Sequence, residues 1–183
     1  MARLIYIPTA HAPVELGDIY DSSIITRPDL LPEYLGLLDR YWDGIDARLQ
    51  DEYLDKIYHD SVVKPSPQPF KELAAEGSRN CACVISLLDR GARLMHTESE
   101  KLLDMQIRFI GDYAATAMVR DMRDIHVAKR IDKSLRRTEV GVAFFGFDHR
   151  IDLTLQRYPR IRVERYDAGL ADLMAVAEAL TQP

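Results

Sequence analysis

Five histidines occur in the chain, and four of them follow short apolar runs. His11 comes after Leu4–Ile7, His59 after Lys56–Tyr58, His96 after Ala92–Met95 and His149 after Val140–Phe145. Carboxylates stand beside them: Asp60 next to His59, Glu98 two residues past His96, Asp148 next to His149. A fifth apolar run, Ile161–Glu164, is followed by Asp167. Imidazole and carboxylate are the groups that move protons near neutral pH and bind divalent cations. Gly146, between the last of these histidines and its apolar run, would let the backbone turn or come close to a ligand.

Each histidine also has a plainer reading. His59 can be a satisfied neighbour of Asp60, and His96 can cap a helix together with Thr97. His126 falls inside a helical pattern. No H-E-x-x-H or H-x-H spacing exists, so a metal is permitted and not demanded. Phosphate-loop, dinucleotide and G-x-S-x-G signatures are missing from the sequence, which argues against those nucleotide enzymes and the usual serine hydrolases. Arg123 lies five residues before Ala128 and eight before Ile131, both candidates for a buried stripe. There it could clamp a carboxylate, phosphate or oxyanion. Lys129, Arg130 and Lys133 read as a solvated face. Cys81 and Cys83 read as small buried hydrophobes.

The elements that must position these groups follow from periodicity. Strands are expected at Leu4–Ile7 (ended by Pro8), from Lys56, at Ala92–Met95, Val140–Phe145 and Ile161–Glu164. Thr26–Asp55 reads as helical, with Leu31, Tyr34, Leu35, Leu38, Tyr41, Trp42, Ile45 and Leu49 at three-and-four spacing. Lys64–Pro69 holds three prolines in six residues and reads as a loop. Phe70–Arg90 reads as one or two helices with Gly77 as a break and Gly91 as a C-cap. Ser99 opens a long helical stretch to Leu135, broken near Gly111, and Ala168–Leu180 is a last amphipathic helix. Strands alternating with helices predict an α/β fold: a mainly parallel sheet of about five strands, with helices on both faces, in a single domain over residues 1–183. In such sheets ligands bind beyond the carboxyl ends of the strands, where the histidines fall.

Composition sets the outer bounds. The 183 residues are 47% hydrophobic and 29% charged, the balance of an ordinary globule. A net charge of -5 argues against a nucleic-acid backbone or an anionic membrane as partner. No apolar stretch approaches the roughly 20 residues that cross a bilayer. The N-terminal run is too short for a signal peptide, so a cytoplasmic location is expected.

Three segments taken in order, I-P-T-A-H (Ile7–His11), R-D-I-H-V-A-K-R-I (Arg123–Ile131) and G-F-D-H (Gly146–His149), resemble a known superfamily. It is the TraB/PrgY group, related to Tiki-type proteases, erythromycin esterases and ChaN-like haem-binding proteins. Pro8 stands, displaced by one position, where that family's first glycine is expected. His59 and Asp60 are the nearest groups to its glutamate. The resemblance implies a two-histidine crevice used for hydrolysis, sometimes with a divalent metal, and His11, Arg123 and His149 as the functional set.

The expectation is therefore a hydrolase in which His11, His149, Arg123 and Glu98 carry the chemistry. A divalent ion (Mn, Zn or Co) would be held by His11, His149 and Asp60, and the substrate would be a small molecule or peptide. Two alternatives stand beside it. One is a haem or other tetrapyrrole binder with a histidine as axial ligand. The other is a non-catalytic interaction protein, with the Tyr34–Leu49 stripe or Ala168–Leu180 packing on a partner or a second copy.

Overall fold

The apolar runs become strands and the three-and-four patterns become helices in a computed structural model that describes residues 1–10, 26–60 and 62–181. The order is β1 (Ala2–Thr9), α1 (Leu31–Leu49, entered through a 3-10 turn at Pro28–Leu30), β2 (Lys56–His59), α2 (Gln68–Ala75), α3 (Arg79–Asp89), β3 (Arg93–Leu94), α4 (Glu100–Arg108), α5 (Tyr113–Ser134), β4 (Val140–Gly146), α6 (Ile151–Leu155), β5 (Ile161–Arg165) and α7 (Leu170–Thr181). The strands form one five-stranded parallel sheet in the order β3-β2-β4-β1-β5. The α/β expectation is met.

Several boundaries moved: the Thr26–Asp55 helix is confined to Leu31–Leu49 and the Ala92–Met95 strand to Arg93–Leu94, and two further shifts concern prolines. β1 runs through Pro8 to Thr9, although proline cannot donate to a ladder. On the β5 side the register ends at Tyr6↔Arg165, before the proline, so no β5 partner is lost there. The proline-rich segment is a loop only as far as Pro67. Pro69 sits in the first turn of α2, where its missing N–H would have no helical partner anyway. The expected break between α4 and α5 is real: Gly111 takes φ +95°, and the Asp112 side chain accepts from the Ala115 N–H at 3.0 Å to start α5.

The chain groups into two compact units. One holds the five strands apart from Thr9, and consists of residues 1–8, 53–66 and 87–165; the other draws on 9–52, 67–86 and 166–183. In the first, one face of the sheet packs on α5 and α6. Leu4, Tyr6, Tyr58, Ala143 and Phe145 meet Val127, Ala128 and Ile131 of α5 and Ile151 and Leu155 of α6. Strand residues of the other parity, Ile5, Ile57, Val142 and Phe144, are equally buried, so both faces of the central strands are covered. Gly141 lies where a Cβ would press on Leu4, Tyr58 and Leu135. In the second unit α1 packs on α7, and Tyr41 sits against both Trp42 and Tyr166. Most of the Tyr34–Leu49 stripe is thus consumed by the chain's own core: Tyr34, Leu38, Tyr41, Trp42, Ile45 and Leu49 are buried, whereas Leu35 is 38% exposed and falls outside it. Cys81 and Cys83 are buried and free, as expected.

Candidate functional site

In sheet order the chain leaves β2 toward β3 on one side and leaves β4 toward β5 on the other. Neighbouring strands whose connections diverge leave a crevice at their carboxyl ends, and that is where open parallel sheets bind ligands. The β2 and β4 exits are stitched together there. Asp60 donates its N–H to the Phe144 carbonyl at 3.0 Å, and its carboxylate accepts the Gly146 N–H at 3.3 Å.

Beyond Gly146 the chain makes a tight turn. The His149 N–H donates to the Gly146 carbonyl at 2.9 Å, closing a four-residue turn that brings the imidazole back to the strand end. Gly146 does not adopt positive φ; its backbone instead serves Asp60 on one side and His149 on the other. The Tyr6 hydroxyl donates to the His149 carbonyl at 3.2 Å, and the His149 ring meets Phe145 edge-on at 5.9 Å. Burial first, and then the Asp152 carboxylate, push the Tyr6 phenol far above its ordinary range, so it stays a donor.

The main finding at this exit is the partner of His149. Its Nδ1 lies 2.5 Å from Oδ1 of Asp124, on α5. The other Asp124 oxygen accepts the Arg150 N–H at 2.7 Å. His149 is 6% and Asp124 3% exposed, so this is a buried pair and not a surface contact. An ionised carboxylate accepts from Nδ1–H, which fixes the tautomer and leaves Nε2 as the nitrogen able to take a proton. Asp124 also forms part of the wall of an open groove of about 260 Å³ between α5 and α6, with Asp121, Ile125, Arg150, Leu153 and Arg157.

Arg123, the neighbour of Asp124 on the same buried stripe, has different company. Its Nη2 and Nε grip the two oxygens of Glu98 at 2.5 and 3.2 Å, and Nη1 donates to the Gln106 side-chain oxygen. Glu98 is fully buried. The two predicted site residues are therefore brought together, as a bidentate ion pair that each satisfies for the other. His96 is exposed; its Nε2 bonds the Glu98 carbonyl at 2.9 Å, and Arg130 lies against the ring.

The β2 exit holds a second histidine–aspartate pair. His59 Nδ1 stands 2.7 Å from the Asp60 carbonyl and 3.0 Å from its carboxylate. The His59 ring lies over Phe144, 6.1 Å away, whereas His149 lies over Phe145. Adjacent strand residues point to opposite faces, so the two imidazoles flank the sheet from opposite sides. Asp148 is exposed and pairs with Arg120 at 3.1 Å, and Asp167 is exposed. His11 lies outside the described residues. Among the described residues no three His, Cys, Asp or Glu side chains are grouped to hold a metal ion.

Asp124 is the site residue that sequence reasoning missed. Its signal was present in the R-D pair at Arg123–Asp124: two charged neighbours at the level of a buried helical stripe need buried partners of their own. Compared with protein-family models, with curated proteins and with solved structures, the chain finds no significant match in any of the three.

Proposed function

We propose that the chain is a hydrolase whose proton-transfer group is His149, oriented by Asp124. The reading is carried by one observation: a buried, hydrogen-bonded carboxylate–imidazole pair at the carboxyl end of β4, where the connections that leave β2 and β4 diverge. A group held this way is ready to act as general base. Nε2 takes a proton from water as the water oxygen attacks the substrate, Asp124 stabilises the imidazolium, and the same proton then passes to the leaving group. Asp60 holds the crevice by tying β2 to the Gly146 N–H. Arg123 and Glu98, locked to each other, set the position of the helix turn that carries Asp124. The sequence resemblance adds His11 as a second imidazole to this proposal. A divalent ion between His11, His149 and Asp60 belongs to the same proposal and is tested by elemental analysis of the purified protein.

The test is turnover of a panel of chromogenic esters, anilides and phosphoesters by the full chain and by His149→Ala, with folding followed by circular dichroism. The expected result is activity on one class, lost by about 10²–10⁴-fold in a folded His149→Ala. Retention of that activity in the folded variant overturns the assignment of His149.

A further inference from the structure

Among the described residues, nine of the twelve large hydrophobic side chains left exposed are concentrated around α5. Four form the tip of the α4–α5 hairpin: Ile107, Phe109, Ile110 and Tyr113, the last 93% exposed. Met118, Met122 and Ile125 continue along α5 at i, i+4 and i+7, a single apolar row. This row is distinct from the buried stripe of Val119, Val127, Ala128 and Ile131, which faces the sheet. Leu153 shares the α5–α6 groove with Ile125, and Phe147 adjoins the Arg120–Asp148 ion pair that ties the β4 exit to α5.

The size of this surface is informative. With about 150–250 Å² for a large side chain, the nine expose on the order of 1,000 Å². Isolated exposed hydrophobics need no explanation, but a patch beyond a few hundred square ångströms marks an interface. It matches the roughly 800 Å² that each partner contributes to a stable protein–protein contact.

Charge identifies the partner. Asp121 and Lys129 stand four residues before and four after Ile125, so they share its row. Both are exposed, and neither has an ion-pair partner among the described residues. We propose that this face binds a second copy of the same chain, with the two α5 helices antiparallel about a two-fold axis near Ile125. That symmetry sets Asp121 of each copy against Lys129 of the other, twice per dimer, as an isologous interface requires. It also lays each hairpin tip alongside the far end of the opposite α5.

The experiment is light scattering coupled to size exclusion on the full chain, over a concentration series reaching about 100 μM. Twice the 20.9 kDa chain mass is expected. Ile125→Glu, at an exposed position, should raise the dimer dissociation constant at least about tenfold while circular dichroism stays unchanged. Asp121→Lys and Lys129→Asp should each weaken the dimer several-fold, and the double swap should restore it. A monomer at every concentration overturns the proposal. So does a dimer that Ile125→Glu leaves intact, or a double swap no tighter than the single ones. A monomer that floats with phosphatidylcholine vesicles would assign the face to lipid instead.

Discussion

The two ends of the sheet bury polar groups in different ways. At the amino end, Lys56 is 4% exposed and reaches both the Glu139 carboxylate and the Ser134 carbonyl. Asp55 accepts the Val140 N–H at 2.8 Å, and the Tyr58 and Ser134 hydroxyls meet at 2.8 Å. At the carboxyl end the buried polar groups include imidazoles: His149 on Asp124, His59 on Asp60. The chemistry of the groups separates the two ends. A lysine–glutamate pair has one charge state over the physiological range, so it can hold strands in register but cannot pass a proton on demand. An imidazole changes charge near neutral pH, and a carboxylate behind it decides which nitrogen does so. Buried polarity is structural at one end and convertible at the other.

The largest effect should come from the carboxyl end. Asp124→Asn keeps the shape but presents an amide in place of the ionised acceptor for His149 Nδ1, which frees the wrong tautomer. On the proposed hydrolase reading, activity on the responsive substrate class should fall by about 10²–10⁴-fold, while denaturant midpoints move little. An Asp124→Asn variant with the full activity of the unaltered chain would erase the distinction between the ends.

At the amino end the readouts should exchange. Glu139→Gln leaves the Lys56 ammonium buried without its counter-charge, and breaking such a pair costs about 3–5 kcal/mol. Urea unfolding should report that loss, with kcat/KM unchanged at a temperature where the variant is folded. A variant of wild-type stability would show that Lys56 is hydrated in solution and not held by Glu139.

A third variant sharpens the comparison, because one pair at the carboxyl end is built like those at the amino end. Arg123 and Glu98 satisfy one another with both guanidinium edges engaged. Glu98→Gln leaves the buried Arg123 guanidinium without its counter-charge and should likewise cost about 3–5 kcal/mol of stability. Its effect on activity should come only through displacement of Asp124, seen as a change in kcat without change in the apparent pKa of the pH–rate profile. If the profile shifts instead, Glu98 takes part in the proton chemistry itself.

The difference between the ends also explains what the sequence could reveal. Histidines after apolar runs are visible because strand and loop are local, so His59, His96 and His149 could be placed at strand ends from spacing alone. The sheet itself was equally legible, from five apolar runs separated by helical patterns. Pairing across elements was not. Asp124 and His149 are 25 positions apart, as are Glu98 and Arg123, and only the packing of α5 on the sheet brings them together. Periodicity gave Arg123 a place on the buried stripe, but no rule of spacing could say that its guanidinium is spent on Glu98. The side of the sheet on which each imidazole lies depends on strand parity at Phe144 and Phe145, which a one-residue change of register would invert. The Tyr34–Leu49 stripe shows the same limit from the other direction: amphipathic spacing marks a face that must be covered, and the fold covers it with α7.

The smallest effect is in the pH dependence of stability, and the two ends should separate along the pH axis. His126, on α5 with Glu98 and His96 nearby, has its pKa lowered, first by burial and then by the Arg130 charge. Its Nε2 is buried with no hydrogen-bond partner among the described residues. The unfolded chain then binds the proton more readily than the folded one. The contribution of neutral His126 is complete above the ordinary imidazole value near 6.5 and is lost as pH falls through the lowered folded value. Glu139 at the other end is also lowered: burial alone would raise it, but the hydrogen bonds from Lys56 and the Arg136 N–H outweigh that. Its contribution is complete above the ordinary carboxylate value of about 4.3 and is lost only below it. Melting temperatures recorded from pH 8 to 4 should thus decline first in the imidazole window, and His126→Gln should flatten that first decline while leaving the acidic one in place. A His126→Gln profile parallel to wild type between pH 7 and 5 would mean that His126 takes up its proton equally in the folded and unfolded chains, and that the first loss of stability comes from another imidazole at the carboxyl end.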